Sequence, residues 1–171
     1  DTHSEKLRET MRQWTTGVCI VCSGNGVQKH GMTVNSFTSI SLDPPLISVT
    51  LANQTRTAHF VQESGLFSVS ILNASQKHLA DLFSGKNPAK RNHFEGVNTL
   101  SLPEGTIAID GALAILECRV VDKIPFINST LFIAGVNYSE VMTFGIPLVY
   151  RTSYCGNKRS PRNHEEYEVI F

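Results

Sequence analysis

The sequence predicts a mainly β domain with a few flanking helices, of the α+β class, whose sheet is antiparallel and closed as a barrel. Three observations predict it. β-rich runs follow one another with few helical segments between them, which favours antiparallel pairing over βαβ crossovers. Turn signals separate those runs, among them Gly24-Asn25-Gly26 and Asp43-Pro44-Pro45. Nothing repeats and no linker interrupts the 171 residues, so one domain accounts for the chain.

The first segment reads as a helix. Thr2 and Glu5 have capping-box spacing, Leu7, Met11 and Trp14 fall on one face, and Gly17 can end it. VCIVCS (18–23) is a β-rich run that turns at Gly24-Asn25-Gly26 into a second strand. GMTVNSFTSISL (31–42) reads as one hydroxyl-rich strand, stopped by Asp43-Pro44-Pro45, and LISVTLA (46–52) as an apolar strand. TRTAHFVQES (55–64) has helical length and pattern with Gly65 as its cap, and LFSVSIL (66–72) alternates as a strand. Asn73 and Gln76 can start a helix carrying Leu79, Leu82 and Phe83. Residues 85–105 read as a long polar loop, followed by β-rich runs at roughly 107–126, 130–141 and 147–154. The total is about seven strands and three helices.

Composition narrows the function. Lysine plus arginine (15) equals aspartate plus glutamate (15), leaving no basic excess to hold a nucleic acid or an anionic membrane. No apolar run is long enough to cross a bilayer, the opening DTHSEKLRET has no signal-peptide core, and four cysteines suit a reducing compartment. A cytoplasmic protein is the expectation. The sequons at Asn53, Asn73, Asn128 and Asn137 are then chance.

The usual catalytic signatures are missing. Cys19 and Cys22 form C-x-x-C, but residues three apart in a strand face opposite ways, so the thiols are structural and no metal site is expected. The six histidines show no metal-binding spacing, and no G-x-S-x-G, P-loop or G-x-G-x-x-G occurs. Asp110, Glu117 and Asp122 sit in strand-like runs with nothing marking them out.

Two segments stand apart. Thr33, Asn35, Ser36, Thr38, Ser39 and Ser41 crowd polar groups into one strand. They suit either a solvated edge or a concave surface for a polar, planar ligand such as a flavin. Asn53-Gln54-Thr55-Arg56-Thr57 follows a strand and opens a helix. It is either an ordinary cap with a solvated arginine or a phosphate cradle of backbone N–H groups, hydroxyls and the Arg56 guanidinium.

HGMTVNSFTSISLDPPLISVTLAN (30–53) resembles the signature strand pair of the flavin reductase-like, FMN-binding split-barrel proteins. The resemblance extends from Trp14-Thr15-Thr16-Gly17-Val18 through RTAHFVQESGLFSVSIL, LADLFSG, NHFEGV, GALAILECRVVD and TLFIAGV to PLVY. It covers residues 1–156 as one split-barrel domain and leaves 157–171 as a C-terminal tail. The chain is most similar to the reductase components of two-component monooxygenases, such as the styrene monooxygenase reductases, including the Gly-Asn after Tyr154.

The resemblance implies an antiparallel split barrel, a homodimer, a bound FMN or FAD, NAD(P)H as co-substrate and a separate monooxygenase as partner. By position, Thr33, Val34, Asn35 and Ser36 would line the isoalloxazine edge, with Ser39 and Ser41 beside it. Ala52 and Asn53 would follow the ribityl chain, Arg56 and Thr57 would meet the phosphate, and Phe83 would pack near the flavin. Ser129 and Tyr154 would stand on the nicotinamide side. The tail is no part of the resemblance; its apolar residues Tyr167, Val169, Ile170 and Phe171 suit packing across a dimer. The flavin carries the chemistry, so no catalytic side chain is expected. Many members hold a histidine just before the T-L-F of the late hairpin, where this chain has Ile127-Asn128-Ser129. That departure keeps two alternatives open: a flavin-binding electron carrier without NAD(P)H turnover, and a pocket turned to a small-molecule reaction.

Overall fold

The computed structural model describes residues 2–24, 27–85 and 93–155, the last three as backbone. In chain order the elements are α1 (His3–Met11), β1 (Thr16–Gly17), β2 (Cys19–Gly24), β3 (Lys29–Val34), β4 (Thr38–Leu42) and β5 (Pro45–Ala52). Then come α2 (Arg56–Ser64), β6 (Leu66–Ile71), a 3₁₀ turn (Ala74–Gln76) and α3 (Lys77–Leu82). Six strands close the described chain: β7 (Thr99–Ser101), β8 (Ile107–Ile109), β9 (Ala114–Pro125), β10 (Ser129–Val141), β11 (Val149–Arg151) and β12 (Ser153–Cys155).

Seven strands form one antiparallel sheet in the order β3-β2-β6-β9-β10-β5-β4. Its two edges, β3 and β4, are joined only by residues 35–37. Seven strands laid flat would hold those edges roughly 29 Å apart. Three linking residues reach roughly 14 Å. The sheet must therefore curl until its edges meet. β3 and β4 are not paired with each other, so the barrel stays split along that seam. At the seam Ser36 Oγ donates to Thr50 O (2.8 Å) and accepts from Thr50 N (3.1 Å).

The single strand expected over 31–42 is thus two strands. Turning the corner of the barrel breaks the ladder at 35–37, which local β propensity cannot foretell.

The barrel interior holds Val21, Val34, Val49, Leu51, Phe67 and Phe132, closed at one side by Ala58 and Val61 of α2. A second core lies outside, where Ile20 and Cys22 of β2 meet α3 and β8 through Leu79, Ala80, Ile107 and Ile109. β2 is therefore buried on both faces. Its alternation puts Cys19 in the inner core and Cys22 in the outer one, as the strand period requires. Burial pushes the thiols of Cys19, Cys22 and Cys118 up to about 12.

The helix caps are those the sequence reading expects. Thr2 Oγ accepts from Glu5 N (3.2 Å) while the Glu5 carboxylate accepts from Thr2 N (2.7 Å). Thr55 caps α2 through Ala58 N (3.1 Å), and Gly65 ends it in the left-handed region at φ 66°. The Asn73–Gln76 capping box opens the 3₁₀ turn before α3.

Three boundaries differ from expectation. α1 stops at Met11, because Gln13 N and Trp14 N tighten onto Thr10 O and Met11 O, and Gly17 instead pairs with Val149 in β1–β11. The polar stretch 85–105 contains β7, which hydrogen-bonds β8. The run 147–154 is broken at Thr152, whose φ of 60° strains a β-branched residue between β11 and β12. No helix among the described residues is long and apolar enough to cross a membrane.

Glu117 of β9, which nothing in the sequence marks, is fully buried. Its carboxylate accepts from Glu104 N (2.7 Å), Thr106 N (3.2 Å) and the Thr106 hydroxyl, pinning the turn before β8. Glu117→Gln places an N–H₂ against those donors and is expected to lower stability by about 1–3 kcal/mol in urea unfolding. In the native protein Cys19, Cys22 and Cys118 are expected to resist a thiol reagent at pH 8 and to react once denatured, which absorbance of the released thiolate reports.

Candidate functional site

A cleft of about 430 Å³ opens between β3, the start of α2 and the segments at 83–85 and 93–94. β3 is an edge strand, so its outward backbone groups need partners. Phe83, just past α3, supplies one: Thr33 N donates to Phe83 O (3.0 Å) and Thr33 Oγ to Ala80 O (2.7 Å). These two bonds fasten the end of α3 to the barrel edge and form one wall.

The opposite wall is the first turn of α2. The N–H groups of Arg56 and Thr57 have no carbonyl one turn back and stand at the positive end of the helix. Thr55 Oγ also reaches Ala52 O (2.8 Å), which fixes the turn between β5 and α2.

The cleft is basic and aromatic. Lys29, His30, Arg56 and His93 line it, and no carboxylate does among the described residues. Burial, then Arg56, then His93 push His30 below the ordinary histidine value. His30 stacks on Phe60 with centroids 4.6 Å apart. His93 Nε2 is buried without a hydrogen-bond partner among the described residues. Phe83 and Phe94 pack at 4.9 Å, and Lys29 Nζ stands 5.6 Å over the Phe94 ring.

Gly31 sits beneath these rings. A Cβ there would stand 3.1 Å from Phe94 Cζ and 3.2 Å from Phe83 Cδ1, so only glycine leaves this floor flat without moving a ring.

The expected site residues divide into groups. Thr33, Arg56, Thr57 and Phe83 come together in the cleft. Val34 is buried in the inner core, Ser36 spends its hydroxyl on Thr50, and Asn35 lies between them at the seam. Ser39 and Ser41 lie on the edge strand β4, the first exposed and the second half-buried.

Ala52 pairs with Ser129 across β5 and β10. Beside them the Asn53 side chain donates to Phe126 O (3.1 Å) and Ile127 O (3.3 Å) and accepts from Thr130 Oγ (2.7 Å). Asn53 N donates to Asn128 O (2.9 Å). Asn53 therefore ties the hairpin turn 126–128 to the start of the helix segment. Tyr154 lies in β12, and its side chain is outside the described residues, as is the whole tail 157–171.

Sequence reasoning missed Lys29, His30, Gly31, His93 and Phe94. Strand period alone places Lys29 and Gly31 on the face of Thr33, so that signal was available. His93 and Phe94 come from a stretch with no period, and only packing brings them here.

The donor set fits a phosphorylated, aromatic ligand: a helix start and basic side chains without carboxylates, next to aromatic rings over a flat glycine floor. Relatives point the same way. The chain is 33% identical over 144 residues to the NADH-dependent flavin reductase StyB of Pseudomonas fluorescens, spanning 80% of this chain and 78% of that protein. It is 32% identical over 145 residues to the actinorhodin polyketide dimerase of Streptomyces coelicolor, spanning 84% of this chain and 80% of that one. The structure of the styrene monooxygenase flavin reductase of Pseudomonas putida S12 superposes with a TM-score of 0.77 at 32% identity, covering 91% of this chain and 99% of that one. The family described as "Flavin reductase like domain" matches residues 11–158, and its chemistry agrees with the cleft: this chain belongs to the flavin reductase like family.

Proposed function

We propose that the chain is an NAD(P)H:flavin oxidoreductase that delivers reduced flavin to a separate monooxygenase. The observation that carries this reading is the cleft itself, where Arg56 and the start of α2 face Thr33 and Phe83 beside the barrel seam. A bound flavin supplies two-electron chemistry between a reduced nicotinamide and an acceptor, so the protein's task is to hold and expose it.

Arg56 and the N–H groups of Arg56 and Thr57 bind its phosphate. Thr33 and the backbone at the seam, residues 34–36, present hydrogen-bonding groups to the ring edge, with Ser39 and Ser41 next along β4. Phe83 covers one side of the ligand and keeps water from it. Asn53 acts through the turn 126–128, holding Ser129 where the nicotinamide approaches. Large exposed apolar residues, Leu42, Phe144 and Ile146 among them, support pairing of two copies as a homodimer.

One observation favours a second reading. The likeness to a polyketide dimerase supports a pocket turned to a reaction on a specific small molecule.

Stopped-flow mixing of the flavin-loaded protein with NADH or NADPH tests the first reading. Bleaching of the flavin band within seconds is expected with at least one donor. A flavin that stays oxidised with both sinks the reductase assignment. Arg56→Ala is expected to raise the Kd for FMN about tenfold and leave riboflavin, which lacks the phosphate, unchanged in a fluorescence titration.

A further inference from the structure

Lys29, Gly31 and Thr33 share one face of β3, and the strand period turns His30 and Met32 to the other, toward α2. Both reach that helix. Thr55 Oγ donates to Met32 Sδ at 3.6 Å, and His30 stacks on Phe60 at 4.6 Å between ring centroids. Phe60 lies one turn along α2 from Arg56. The imidazole therefore stands beside the first turn of α2, which the reading above gives to the phosphate.

The charges that bear on His30 are all positive. Arg56 acts on it from α2 and His93 from the segment at 93–94, with Lys29 its neighbour in β3. His59 and Glu63, the other titratable groups of α2, do not line the cleft. β2, which pairs with His30 through Ser23, brings only the buried thiols of Cys19 and Cys22. Burial, then Arg56, then His93 hold His30 below the ordinary histidine value. A proton on His30 is thus opposed by its neighbours as long as no anion stands among them. A phosphate on the helix start reverses that balance, because it offsets the charge of Arg56 and gives the imidazolium a negative acceptor.

We propose that His30 takes up a proton as the ligand's phosphate enters the cleft, coupling flavin binding to pH through this one residue. The identity of the ligand rests on the reductase reading. A group that holds its proton more tightly in the complex than in the free protein strengthens binding as pH falls through its range. The gain is lost as pH rises above that range, so acid favours the loaded cleft and base favours release.

Fluorescence titration of the full chain with FMN at about pH 8 and about pH 5.5 tests it, with riboflavin as the ligand that lacks the phosphate. The phosphate of FMN titrates in the same range, so the native protein is compared with His30→Gln and His30→Phe, where the ligand's own contribution is the same. His30→Phe keeps a ring against Phe60 and separates the proton from the stack, and melting curves check that both variants fold. Between these two pH values the affinity of the native protein for FMN is expected to rise about fivefold more than that of either variant. Riboflavin is expected to show no such difference.

Equal pH dependence in the native protein and both variants overturns the proposal. A pH dependence that both His30 variants keep and His93→Gln loses moves the proton to His93 and overturns it as well. Calorimetry with sulfate, whose charge is constant over this range, repeats the comparison without flavin. If sulfate shows the His30-dependent rise while no flavin binds at either pH, the reductase reading fails and the proton coupling stands.

Discussion

Closure of the sheet governs this molecule. The strands at its two ends are neighbours in sequence, joined by residues 35–37, and a linker that short forces seven strands to curl until their edges face each other. The edges then stand side by side without pairing. That leaves a seam with backbone groups seeking partners, a costly arrangement in a buried sheet unless something fills it. Ser36 supplies part of the answer by bonding both the N–H and the carbonyl of Thr50. The end of α3 supplies another part by bonding the backbone and hydroxyl of Thr33.

The candidate site is a consequence of the same closure. α2 starts where β5 ends, so the curl carries its positive end to the free edge of β3. The outer core brings Phe83 and Phe94 to the same edge, because β2 is buried on both faces and needs α3, β8 and their connections to cover its outer side. A ligand cleft at the rim of a barrel, walled by a helix start and a docked helix end, follows from covering a strand with two buried faces. Stability and binding therefore share residues: Phe83 and Phe94 belong to the outer core and line the cleft at once.

Asn53 shows how far a single side chain can reach across such a fold. Its amide group and backbone N–H bind three successive residues of the β9–β10 turn, and its carbonyl oxygen takes the hydroxyl of Thr130. The start of α2 and the tip of the longest hairpin are thereby held as one unit. Glu117 does similar work on the other side of β9, where a buried carboxylate holds the turn before β8 with two backbone N–H groups and a hydroxyl.

Much of this was legible in the residues. Capping boxes at Thr2 and Asn73 and the Thr55 and Gly65 caps depend on partners within four positions, so local sequence determines them. The opposite orientation of Cys19 and Cys22 follows from strand period alone. Thr33, Arg56 and Thr57 were legible as candidates because a hydroxyl-rich strand and a helix start are sequence features, while Phe83 entered only through the family resemblance. What only tertiary structure decided is what depends on contacts far apart in the chain. The break at 35–37 is imposed by barrel closure, not by any breaker residue. His93 and Phe94 reach the cleft from a stretch without periodicity, and Glu117 is special only because Glu104 and Thr106 surround it. Local propensity acts over a few residues, whereas these positions are set by the curl of a sheet whose edges meet.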